Sequence, residues 1–121
     1  MVESRTTSEQ CAVIKSAIAR ARIANQRLRL GQSLGDGIGQ QVAADAVVHN
    51  LSVISDAVSA IPKDLLATEP DVPWDRLAGM RSAIGADYVR EGADALHRVV
   101  EGDLGAVDQA VERIRLRPLG P

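Results

Sequence analysis

Residues 42–61 read VAADAVVHNLSVISDAVSAI, and within them Ala43, Val47, Leu51, Ile54, Val58 and Ile61 recur at steps of four, four, three, four and three. That recurrence is the period of an α-helix with one apolar stripe. Val42, Ala46, Val53 and Ala57 lie beside the stripe, so the helix is apolar over more than one face. Such a helix belongs at the centre of a bundle or in the seam of a dimer. Pro62 ends it, because the residue before a proline resists the helical conformation. Lys63 to Thr68 then reads as a short helix with Pro62 at its first position.

Working outward, Cys11, Ile14, Ile18, Ala21 and Leu28 mark a first helix, with Ala17 and Ala24 widening its stripe. A capping box at Thr7-x-x-Gln10, or at Thr6-x-x-Glu9, opens it, and it runs to about Leu30. Gly31 to Gly39 is rich in turn residues and reads as the connector. Glu69-Pro70-Asp71-Val72-Pro73 is a rigid turn before a helix from Trp74 to Tyr88, with Leu77, Met80, Ile84 and Tyr88 at helical spacing. The last helical region begins near Gly92 and is weakened at Gly102. Asp103 caps a new start, and Pro118 ends the region. With no alternating strand pattern and no repeat, the expectation is all-α: an antiparallel bundle of four long helices plus one short helix. Residues 1–7 are expected to be a flexible start, 8–117 a single domain and 118–121 a tail.

The chain has 121 residues and is 45% hydrophobic, yet it lacks Phe and has only Trp74 and Tyr88 as aromatics. One such domain buries a core of Ala, Val, Leu and Ile, which suits closely packed helices. A single cysteine, Cys11, excludes an internal disulfide and fits a reducing compartment; it lies on an apolar stripe as a small core residue. No apolar run approaches a membrane span and no signal-peptide pattern opens the chain, so the expected location is cytoplasmic. Two scattered histidines and one cysteine form no metal-ligand cluster, and no cofactor is expected. Gly35 to Gly39 superficially resembles a phosphate loop, but no strand precedes it and no Lys-Ser/Thr follows.

Charge is uneven although the net is only −2. Lys15, Arg20, Arg22, Arg27 and Arg29 stand on the first helix without an intervening acid, whereas Asp36 to Glu112 carries fourteen acids against five basic residues. Those basic residues could meet RNA phosphates or an acidic partner, or simply form a solvated face paired with acids elsewhere.

The segment VPWDRLAGMRSAIGADY at residues 72–88, with Ala46 to Leu51, Ile61 to Leu65 and Glu101 to Leu104, resembles the HepT-like proteins of the HEPN superfamily. That resemblance covers roughly Gln41 to Ile114. The family motif is an arginine, four residues, a histidine, one residue and a tyrosine; here Arg81 and Tyr88 keep the spacing and Ala86 stands at the histidine position. Ser82 replaces a usual asparagine. The resemblance implies a helical bundle that dimerises and is encoded beside a nucleotidyltransferase, the pair forming a toxin–antitoxin system. It further implies Arg81 as phosphate-binding cation and Tyr88 as the site of adenylylation.

A methyl group at position 86 cannot move protons as an imidazole does. The expectation is therefore a non-enzyme: a catalytically degenerate antitoxin that binds and neutralises a nucleotidyltransferase toxin, with Arg20, Arg22, Arg27, Arg29 and Arg81 as contact residues. The alternative is a HepT-type ribonuclease toxin using Arg81 with His49 or His97 and controlled by adenylylation of Tyr88. On this reading of the residues, His49 is hydrogen-bonded within the core and His97 faces solvent or a helix groove. A third reading is a dimer that binds RNA without cutting it.

Overall fold

The computed structural model describes residues 6–117; the expected flexible start and tail lie outside the described residues apart from Thr6 and Thr7. Among the described residues the fold is all-helical: α1 (Thr7–Leu34), α2 (Gly37–Ala60), α3 (Lys63–Leu66), α4 (Trp74–Ala78), α5 (Met80–Glu91), α6 (Ala93–Arg98) and α7 (Leu104–Leu116), with a π-helical turn at Val99–Asp103 joining the last two.

Of the two possible boxes, the one at Thr6 forms: its side chain accepts from the Glu9 amide while Glu9 reaches back to the cap. α1 then continues four residues past the expected end. Gly31 to Leu34 are helical, and so is Gly37 to Gly39, which shrinks the connector to Gly35 and Asp36. The glycines expected to break the helices instead serve their junction. Gly35 adopts φ 68°, the left-handed cap that costs other residues strain, and Asp36 accepts from the Gly39 amide at 2.9 Å to start α2. At Gly31 an added Cβ would lie 3.0 Å from the Gln40 side chain, so the missing side chain lets the two helices close at their tip.

α1 and α2 form the main antiparallel pair, with Ile14, Ile18 and Leu28 packed with Val47, Leu51, Ile54 and Val58. Leu77, Leu96, Leu104, Val107 and Val111 close the core from the second half. Burying each large aliphatic side chain fully contributes about 1.5–3 kcal/mol, which is what holds a nearly aromatic-free bundle together.

The helix expected over Trp74 to Tyr88 is interrupted at Gly79. Ser55 of α2 wedges into the break: its hydroxyl donates to the Ala78 carbonyl at 2.7 Å and receives the Arg81 amide at 3.4 Å. In the last region Asp103 makes no side-chain cap; it pairs with Arg76 at 3.1 Å, and the chain passes Gly102 in the wider π turn. No described helix is long and apolar enough to cross a membrane.

Candidate functional site

The basic residues of α1 divide into two stripes. Lys15, Arg22 and Arg29 follow each other at seven-residue steps and point towards the second half of the bundle. Lys15 meets Asp108 at 2.9 Å and Glu112 at 3.3 Å, Arg22 meets Asp108 at 3.7 Å, and Arg29 grips Glu101 at 2.6 Å. These side chains tie α1 to α7 and the π turn. Arg20 and Arg27 lie on the α2 side, and among the described residues neither has an acidic partner. Arg20 donates from Nε to Asn50 Oδ1 at 3.0 Å and from Nη1 to Ser16 Oγ at 2.6 Å, both neutral groups. Of the basic contact residues expected on α1, two are thus already neutralised by the fold.

Arg81 opens α5 and is exposed, its guanidinium held by Asp56 of α2. Both side chains are more than half exposed, so the pair contributes at most about 1 kcal/mol and opens readily to an anion. Asp87, on the same helix, is taken by Arg90 at 2.6 Å. Ala86 is exposed on α5 and Tyr88 is half-buried against the core.

The histidines exchange the environments expected of them. His49 is exposed rather than buried, because α2 turns its stripe of Val47, Leu51 and Ile54 inward and leaves position 49 outside. It precedes Asp56 by seven residues, which places both on one face of α2, about 10 Å apart along the axis and about 20° apart in rotation. His49 and the Arg81–Asp56 pair therefore share one open surface.

His97 is buried at 5% exposure and belongs to a relay. Arg29 holds Glu101 through two bonds, Glu101 accepts from Asn25 Nδ2 at 2.7 Å, and Asn25 Oδ1 receives His97 Nδ1–H. Gln32 lies 2.9 Å from His97 Nε2. The bonds from Arg29 and Asn25 hold the Glu101 carboxyl down at about 2, and burial together with Arg29 pushes His97 below its ordinary range. A neutral His97 with Nδ1 protonated needs the Gln32 amide turned so that its NH2 donates to Nε2. With both ring nitrogens occupied, His97 fastens α6 to α1. Sequence reasoning missed this cluster, although Asn25, a polar residue within the apolar stripe of the first helix, was its visible signal.

Cys11 is fully buried and its thiol is pushed up by that burial, which suits a packing role. Among the described residues no group of His, Cys, Asp and Glu side chains could hold a metal ion.

The fold and the Arg81-to-Tyr88 segment on α5 point to a class of helical-bundle proteins. The family model described as Ribonuclease HepT-like matches residues 14–114, and the chain belongs to that family. A protein of Methanocaldococcus jannaschii with a provisional RNase name is 39% identical over 61 residues, covering 46% of this chain and 50% of the relative. Another, from Caldanaerobacter subterraneus subsp. tengcongensis and also provisionally named an RNase, is 26% identical over 84 residues, 69% of this chain and 75% of the relative. A Thermococcus cleftensis protein provisionally named ribonuclease HepT is 29% identical over 70 residues, covering 58% of this chain and 64% of the relative. The matched part spans about half the length of the Methanocaldococcus relatives. No solved structure matches the chain.

These relatives overturn the expectation of a non-enzyme drawn from Ala86, since their names point to ribonuclease activity. The expectation rested on the methyl group at position 86 and on reading His49 as a core residue, whereas His49 is exposed.

Proposed function

We propose that this chain is a ribonuclease acting on the open face shared by α2 and α5, with Arg81 as phosphate-binding cation and His49 as proton-transfer group. The observation that carries the reading is the placement of His49, the exposed imidazole among the described residues, on the same α2 face as the carboxylate holding Arg81. An RNA phosphate displaces Asp56 from Arg81, exchanging one weak surface ion pair for a bidentate guanidinium–phosphate contact. With the guanidinium on one phosphate, the neighbouring phosphodiester falls towards His49. The imidazole takes the proton of the ribose 2′-hydroxyl as that oxygen attacks phosphorus, and the 5′-oxygen leaves with a proton from water.

Tyr88 stands on α5 seven residues beyond Arg81, so adenylation by the nucleotidyltransferase partner that the resemblance implies would place a bulky anion beside the same face. That group would compete with RNA for Arg81, which makes Tyr88 the control point of this reading. The test is cleavage of a labelled single-stranded RNA by the purified full chain. Arg81→Ala should weaken RNA binding and lower the rate at sub-saturating RNA by about tenfold, as loss of a charge-assisted phosphate contact does. Unchanged cleavage in Arg81→Ala would overturn the assignment.

A further inference from the structure

Among the described residues, the two arginines of α1 without an acid partner, Arg20 and Arg27, lie at levels on either side of His49. α1 and α2 run antiparallel, and Arg20 reaches Asn50, the residue after His49. Two turns further along the same stripe, Arg27 lines the groove of about 390 Å³ between the helices together with Ala24, Val42 and Ala46. The level of His49 therefore falls between those of the two arginines, whose Cα atoms are about 10 Å apart along α1. Neither is buried, and Arg20 is aimed by neutral groups that leave its charge uncompensated. Asp36, on the same groove, is committed to the α2 cap. Asp45 stands one turn before His49, so Arg20 and Arg27 face two acids, Asp36 and Asp45, along the strip.

We infer that Arg20 and Arg27 form a second phosphate-binding strip, along the α1–α2 seam, that holds the RNA backbone on either side of the residue at His49. A spacing of about 10 Å suits two phosphates separated by one nucleotide. The side chains exposed beside the arginines are Ile23, Leu30 and Leu34, and no aromatic group is available for stacking. The strip therefore reads backbone charge rather than base identity. Arg22 and Arg29, on the opposite side of the same helix and clamped by Asp108 and Glu101, take no part. The inference rests on RNA being the substrate, but it assigns binding rather than chemistry.

The experiment measures binding of a fluorescent twelve-nucleotide oligouridylate to the full chain over a series of salt concentrations. Arg20→Gln and Arg27→Gln should each weaken affinity several-fold. The double variant should flatten the slope of log affinity against log salt by about 1.4, the loss of two single-strand phosphate contacts. Arg22→Gln and Arg29→Gln should leave that slope unchanged, and oligoadenylate should bind as oligouridylate does. Among the described residues Arg27 makes no hydrogen bond that its replacement would disturb, so Arg27→Gln keeps the test sound if Arg20→Gln loosens the seam. Equal weakening by all four variants, or none by Arg20→Gln and Arg27→Gln, would overturn the inference; so would a double variant that loses self-association or a protein partner while its RNA affinity holds. Retained cleavage with unaltered binding in the double variant removes the strip and leaves the ribonuclease reading. Weakened binding by a chain that never cuts RNA does the reverse.

Discussion

Glu101 shows how much one side chain can organise here. Its carboxylate receives Arg29 and Asn25, and Asn25 in turn fixes the tautomer of His97. Because its folded carboxyl sits at about 2 against an ordinary 4.5, its contribution is complete above the ordinary value and is lost as pH falls towards 2. His97, lowered from 6.5, follows the same sense: its contribution is present above its ordinary value and disappears as pH falls through the folded one. Glu101→Gln should therefore lower the melting temperature by a few degrees near neutrality and shrink the drop in stability between pH 4.5 and 2, read by thermal denaturation across pH. Glu69 works alike at the other end. It is nearly buried between Arg113 at 2.6 Å and Arg117 at 2.7 Å, and Arg113 first, then Arg117, lowers its carboxyl. Glu69→Gln should loosen the end of α7, visible as faster amide exchange there.

At the scale of elements, the sequence was most legible where an apolar stripe repeats without interruption. The stripe of Ala43, Val47, Leu51, Ile54 and Val58 specified α2 and its central place, and all five are buried. Junctions were harder to read, because Gly and Asp encode both a break and a cap. Gly31 to Gly39 looked like a loop, yet most of it is helix, and the decisive features are a left-handed Gly35 and a side-chain bond from Asp36 that only the three-dimensional turn reveals. An added Cβ at Gly39 would stand 2.3 Å from Asp36 Oδ2. Gly39→Ala should thus displace the cap and cost about 0.5–2 kcal/mol, measured by urea denaturation. The break at Gly79 had no local signal strong enough to find it, since the hydroxyl that fills it comes from Ser55, distant in sequence. The site followed the same rule. Arg81 was legible as a motif residue, whereas the exposure of His49 depended on which way α2 turned in the bundle.

Across the whole molecule, stability rests on an aliphatic core and function on what is left outside it. Leu51 is wholly buried between the helices, and Leu51→Ala should cost about 2–5 kcal/mol by chemical denaturation, with RNA binding unchanged in the fraction that stays folded. Lys15, Arg22 and Arg29 pair α1 with the second half of the bundle, whereas Arg90, Arg98 and Arg115 pair with acids close by in sequence. Cleavage depends, in this account, on His49 rather than His97, and the direct measurement is the single-turnover rate on a labelled RNA for His49→Asn and His97→Gln. The account predicts that His49→Asn abolishes cutting while the protein remains folded, and that His97→Gln lowers stability but keeps the rate per folded molecule within a few-fold. Full activity in His49→Asn would contradict it.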